Sequence, residues 1–296
     1  MNASSAWDVD VAGGSLRLAE WCADGDRPVL AVHGITANHR VWEPLVARLP
    51  GRRVLAPDLR GRGRSAGLPG PYGLHRHVAD LVAVLDRAEL DHVTVVGHSM
   101  GGFVAAALHA HAPQRVSQLV LVDGGLPLVR PTGPARTAAE VLGPALERLS
   151  RTFAGRDAYR DFWRVHPAFA ADWSPAVERY VDYDLVGEPG AMRSSVNRDA
   201  VEADFDDQLG GPTLDRAAAA LQGAEFQFLR APRGLLDELP GLYPPEAMQA
   251  AASRFPRMVR HEVEGVNHYT ILLADRGASA VADVLQGAGQ PGPQGA

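Results

Sequence analysis

Gly97-His98-Ser99-Met100-Gly101 sets a serine hydroxyl between two glycines, each two residues away. A serine hydroxyl attacks a carbonyl carbon only once a base removes its proton. The chain has 31 glycines in 296 residues, so the G-x-S-x-G pattern alone says little. Its setting says more. An apolar run at 93–96 (VTVV) precedes it and an alanine-rich, helix-like stretch at 103–109 follows it. A sharp strand-to-helix turn there lifts the hydroxyl above a sheet, and a Cβ at either glycine would crowd that turn. The competing reading is a glycine-rich turn with a spectator serine.

Of the 11 histidines, His268 has the setting of a base. It follows the last apolar run, 259–263, through Gly265-Val266-Asn267, and so is expected on the same rim as Ser99. His75, His77, His109 and His111 fall on helical stretches and are expected to be solvated. His166 is expected near the surface. His33 and His98, beside Gly34 and Ser99, are expected to organise their loops through hydrogen bonds. Two acids compete to orient His268. Asp123 ends the run at 116–122, the next strand after the one carrying Ser99, and is preferred; Asp237 follows the run at 226–229 and is the alternative.

The elements that must hold these residues are legible as periodicity. Residues 7–12 and 15–22 alternate around Gly13-Gly14 as a hairpin, and apolar runs recur at 28–33, 53–57, 93–96, 116–122, 226–229 and 259–263. Val78, Leu81, Val82 and Leu85 mark one helix face between the second and third runs. Apolar strands separated by helices predict an α/β fold whose mostly parallel sheet is covered on both faces. Residues 125–224 break the alternation: they are helical in pattern and gather Phe153, Tyr159, Phe162, Trp163, Phe169, Trp173, Tyr180 and Tyr183. The expected organisation is therefore a core of 1–124 and 225–286, an inserted helical cap at 125–224, and a frayed Gly/Pro/Gln/Ala tail at 287–296.

Composition removes several chemistries. All 29 basic residues are arginine, so Schiff-base catalysis, Walker-type phosphate loops and Ser-Lys dyads are excluded. One cysteine, Cys22, excludes an internal disulfide and multi-thiolate metal sites. A net charge of −6 without basic runs argues against nucleic-acid binding. The first ten residues lack the apolar core of a signal peptide and no 18-residue apolar window occurs, so a cytoplasmic location without a membrane span is expected. No metal or cofactor is called for, and no pattern marks an oligomeric state.

In order along the chain, His33-Gly34, Asp58, the 97–101 pentapeptide and His268 resemble the α/β-hydrolase family, over most of the sequence. The segment 57–65, PDLRGRGRS, also resembles the loop after the fourth strand in hydrolases, dehalogenases and non-haem haloperoxidases. The resemblance makes that loop mainly structural, so Asp58 receives no catalytic role. The family's commonest acid follows the later strand, where Asp237 lies; some dehalogenases and lactonases resemble the Asp123 arrangement, and both acids stay open. The oxyanion of such a reaction takes one N–H from the residue after the nucleophile, Met100, and a second from the loop after His33-Gly34, here Ile35. What the resemblance implies is a serine hydrolase cleaving a carboxylic ester or lactone of an apolar or aromatic small molecule. C–C bond hydrolysis, amide hydrolysis, cofactor-free haloperoxidation and a non-catalytic ligand sensor are the other functions this scaffold could serve. Epoxide hydrolases and dehalogenases, which resemble a pattern with aspartate at position 99, are disfavoured.

Overall fold

A computed structural model describes residues 5–128 and 137–287. The tail expected at 287–296 lies, from 288 onward, outside the described residues.

Among the described residues ten strands form in chain order: β1 (Ser5–Val11), β2 (Gly14–Trp21), β3 (Asp26–Val32), β4 (Arg52–Pro57), β5 (Val93–His98), β6 (Val116–Val122), β7 (Leu185–Val186), β8 (Arg193–Ser194), β9 (Phe226–Arg230) and β10 (Met258–Glu262). Eight of them make one sheet in the order β1-β2-β4-β3-β5-β6-β9-β10. The β1–β2 hairpin and the β2–β4 pair are antiparallel; all other neighbours are parallel.

Strand periodicity builds two cores, one on each face of this sheet. Leu30, Val32, Val95, Leu119, Leu121 and Phe228 point to one face, where they meet the helices Leu74–Arg87, Met100–His111 and Pro212–Gly223. Val29, Ala31, Val96, Val120, Val122 and Leu229 point to the other, under helix Asp275–Gln286. Both faces are covered, which is why these strands read as continuous apolar runs rather than as alternation.

The sheet order also fixes where a ligand can sit. β3 is flanked by β4 on one side and β5 on the other. The chain leaving β3 runs under one face and the chain leaving β5 enters helix Met100–His111 on the opposite face. The two exits therefore part above the sheet and open a crevice beyond the carboxyl ends of β3 and β5. Gly34 and Ser99 border that crevice.

Between β6 and β9 the described chain is mainly helical, as its pattern predicts, apart from the two-residue pair β7–β8. Strands that short leave no periodicity to read. The helices of this stretch pack in two ways. Pro212–Gly223 lies along Met100–His111 as part of the sheet's helical layer. Residues 153–181 instead gather five buried aromatics, Phe153, Tyr159, Trp163, Phe169 and Tyr180. Among the described residues no helix is long and apolar enough to cross a membrane.

Candidate active site

The turn at Ser99 is held by close backbone packing. A Cβ at Gly97 would collide with the carbonyl of Gly101, and one at Gly101 with the carbonyl of Val32, so any larger residue would push the turn off β3 and β5. Ser99 itself has φ 56° and ψ −124°, outside the regions an L-residue ordinarily adopts. Its N–H donates to the Val122 carbonyl at 3.0 Å, which extends the β5–β6 pairing and pins the turn to the sheet.

Three of the predicted residues meet here. The Ser99 hydroxyl donates to His268 Nε2 at 3.0 Å, and His268 Nδ1–H donates to Asp123 Oδ2 at 2.7 Å. Asp123 is fully buried at the end of β6; its own N–H donates to the Leu229 carbonyl at 2.8 Å, and its Oδ1 accepts the Ala231 N–H at 3.1 Å. The β6–β9 pairing thus carries the carboxylate to one edge of the imidazole, while β5 carries the hydroxyl to the other. Such a chain can move a proton from serine to histidine and stabilise the imidazolium that results.

Asp237 does not reach the His268 ring. Its Oδ2 accepts from Arg233 at 3.2 Å on a half-exposed surface, and its Oδ1 accepts from Asn267 Nδ2 at 3.1 Å. Four residues, 231–234, separate β9 from Leu235, and this path carries Asp237 past the imidazole to the residue before it.

His98 and His33 organise loops, as expected. Burial and the adjacent His268 ring hold His98 well below the usual histidine range. It is therefore neutral, and its Nε2–H donates to the His268 carbonyl at 2.8 Å. His33 is lowered to about 4, by burial first, against the opposing pull of Asp58. Its Nδ1–H donates to the Gly34 carbonyl at 2.8 Å and its Nε2 accepts the Leu59 N–H at 2.9 Å.

The Gly34–Ile35 peptide has a defined direction. The Gly34 carbonyl accepts from both His33 Nδ1 and the Ala37 N–H, the latter at 3.1 Å. In a planar trans peptide the N–H points opposite to the carbonyl, so these two bonds aim the Ile35 N–H. A Cβ on Gly34 would lie 3.1 Å from Ser99 Cβ and 3.5 Å from Ser99 Oγ, so this loop edge borders the hydroxyl. Met100 is the first residue of its helix, so its N–H has no intrahelical acceptor.

Asp58 has the structural setting that the sequence implies. Its carboxylate accepts from His39 Nδ1 (2.9 Å), the His39 N–H (3.0 Å), the Arg64 N–H (2.9 Å) and the Tyr183 hydroxyl (2.7 Å). Burial would raise its pKa, but His39 and these bonds hold it well below the usual carboxylate range.

Two expectations need correction. His77 is fully buried, with Nε2–H donating to Asp204 at 2.9 Å, and His166 is 3% exposed, packed among Trp163, Phe169 and Tyr269. His77 lies three residues after Leu74 and four before Leu81, on the buried stripe of its helix, so the spacing itself carried the signal.

One contribution to the pH dependence of stability comes from His33. Its folded pKa lies below the unfolded value of 6.5, so below pH 6.5 the unfolded chain binds a proton that the folded one refuses. This contribution is complete above pH 6.5 and is lost as pH falls towards about 4. His33→Gln can keep both hydrogen bonds, and its urea midpoint should fall less steeply than wild type between pH 6.5 and 4. Identical slopes would exclude this origin for acid sensitivity.

The helical stretch between β6 and β9 is bonded to both sides of the crevice. Asn267 Nδ2 donates to the Ala168 carbonyl at 2.9 Å, and Arg148 Nη2 donates to the Thr36 carbonyl at 2.9 Å. Trp163 and Phe169 also pack on Tyr269, the residue after His268.

Comparisons with known proteins agree with this architecture. A family model described as the alpha/beta hydrolase fold matches residues 27–164. The lipase LipV of Mycobacterium tuberculosis is 38% identical over 141 residues, 46% of this chain and 54% of the lipase. The 3-oxoadipate enol-lactonase 2 of Acinetobacter baylyi is 27% identical over 186 residues, 62% of this chain and 67% of the lactonase. The aligned stretch thus spans about half the lipase's length. Among solved structures, an E-2-(acetamidomethylene)succinate hydrolase superposes with a TM-score of 0.73 at 20% identity, covering 95% of this chain and 99% of the other. With its sheet order, its strand-to-helix turn at Ser99 and the match over 27–164, the chain has the α/β-hydrolase fold.

Proposed function

We propose that this protein is a serine hydrolase that cleaves carboxylic esters or lactones of apolar small molecules, with Ser99 as nucleophile, His268 as base and Asp123 as its orienting acid. The observation that carries the reading is the continuous chain from Ser99 through His268 to Asp123, at 3.0 and 2.7 Å. As Ser99 Oγ bonds to the substrate carbonyl carbon, its proton passes to His268 Nε2 and the carbonyl π pair becomes an oxyanion. The Met100 and Ile35 N–H groups receive that oxyanion. Collapse expels the alcohol oxygen, which takes the proton from His268. Water then repeats the sequence on the acyl-enzyme and frees the acid and Ser99.

We assign the cap to the described residues within 125–197. Helices Arg198–Gln208 and Pro212–Gly223 go to the core, because the second packs on Met100–His111 and the first carries Asp204 to His77. The buried aromatics contact one another and Tyr269, so they support the cap rather than line it for substrate. Apolar selectivity rests better on Leu126, Leu142 and Val196, which share one apolar cluster with Ile35 and Met100. The lipase and lactonase relatives favour oxygen esters over the other reactions this scaffold serves. We place the enzyme in the cytoplasm, where an exposed free thiol such as Cys22 stays reduced.

A panel of p-nitrophenyl esters of graded acyl length, with aromatic lactones, tests the reading. Turnover with a preference among apolar acyl groups is expected. Binding of these compounds without product release would point instead to a ligand sensor.

A further inference from the structure

Arg62 is fully buried, and its guanidinium touches both residues assigned to the oxyanion. Nε–H donates to the Ile35 carbonyl at 2.8 Å, and Nη2 lies 4.0 Å from Met100 Sδ. The rest of the fork is anchored: Nη1 donates to the Arg60 carbonyl at 2.8 Å and to Asp204 Oδ2, and Nη2 donates to the Ala200 carbonyl at 3.5 Å. Asp204 is fixed in turn by the Gly73 N–H at 2.6 Å and by His77 Nε2–H at 2.9 Å. A buried arginine–carboxylate pair is a weak way to gain stability, since apolar residues of similar volume serve as well or better. What the pair supplies that apolar residues cannot is a directed donor at the Ile35 carbonyl.

That donor completes a clamp. The Ile35 N–H belongs to a peptide whose carbonyl is held by His33 and Ala37, while the next peptide is held at the Ile35 carbonyl by Arg62. Rotation about either Ile35 backbone bond must break one of these bonds. Oxyanion donors act at 2.7–3.1 Å, and a misplacement of about 1 Å costs about 100-fold in rate. Building on the serine-hydrolase reading above, we propose that Arg62, buttressed by Asp204 and His77, is a positioning residue that holds the Ile35 N–H and the Met100 side of the oxyanion hole in their reactive geometry.

The test compares Arg62→Met in an Asp204→Asn background, which leaves no unpaired buried charge, with Asp204→Asn alone. Relative to that parent, kcat should fall about 10- to 100-fold with KM within about twofold. Affinity for a trifluoromethyl ketone, whose adduct with Ser99 carries a full oxyanion, should fall by the same factor, whereas a purely architectural role would spare it. Equal kcat and equal ketone affinity in the two proteins overturn the proposal. If the double variant does not fold, Arg62→Lys decides. An ammonium can pair with Asp204 but lacks the planar fork that spans Ile35, Arg60 and Asp204 together. A kcat loss of about 10-fold at an unchanged melting temperature supports the proposal, and full activity overturns it. Wild-type protein that neither turns over esters nor is labelled at Ser99 by a fluorophosphonate would instead bring down the serine-hydrolase reading itself.

Discussion

Ser99→Ala is expected to lower ester turnover on the order of a millionfold in kcat while leaving the fold intact. The loss is large because the hydroxyl supplies the bond-forming atom, and His268 without it has only bulk water to activate. The fold should survive because alanine at the same positive φ adds no backbone strain that serine does not already carry. The Ser99 backbone N–H to Val122, which pins the turn, is untouched by the change. Residual rate far above the uncatalysed reaction, in protein free of wild-type contamination, would mean that another group attacks the carbonyl.

Asp123→Asn and Asp237→Asn should separate by about four orders of magnitude. An amide at position 123 no longer offers a carboxylate to His268 Nδ1–H, and it favours the tautomer with its proton on Nε2, facing Ser99. That tautomer cannot accept the serine proton, and kcat should fall on the order of 10,000-fold. Asp237→Asn removes only a half-exposed ion pair with Arg233, worth about 0–1 kcal/mol, and its amide oxygen can still accept from Asn267. Its kcat should stay within about threefold of wild type. Steady-state kinetics on one p-nitrophenyl ester settles both. Similar mild losses in the two variants would show that neither carboxylate orients the base.

The α/β architecture was legible because it rests on patterns that buried strands cannot avoid. Residues 93–96 and 116–122 are apolar on both faces because helices cover both faces, and a run that ends at a glycine or an aspartate shows where the crevice opens. Ser99 and His268 were legible for the same reason: each follows such a run. Asp123 against Asp237 was harder, because both follow strands, and what separates them is the path of the chain between β9 and Asp237, which no periodicity encodes. The Arg62–Asp204–His77 cluster was the least legible. Its members are 142 and 127 residues apart in sequence along the pairs that join them, and an arginine inside a glycine-rich loop reads as solvated until the partner helix is in place. His77 could have been found from its helical spacing; Asp204 sits among acidic neighbours at 202–207 that conceal which carboxylate faces inward. The aromatic stretch is ambiguous in a different way. Its composition suits a binding surface or a core of its own, and in the fold Phe153, Tyr159, Trp163 and Phe169 pack ring against ring.

The account depends on Ser99 being activated by His268 across their 3.0 Å contact. Reaction with a fluorophosphonate, followed by peptide mass mapping of wild type and His268→Ala, examines that contact directly. The account predicts one adduct, on the peptide containing Ser99, formed rapidly in wild type and nearly absent in the variant. An adduct on a different residue, or equal labelling of Ser99 in both proteins, would contradict it.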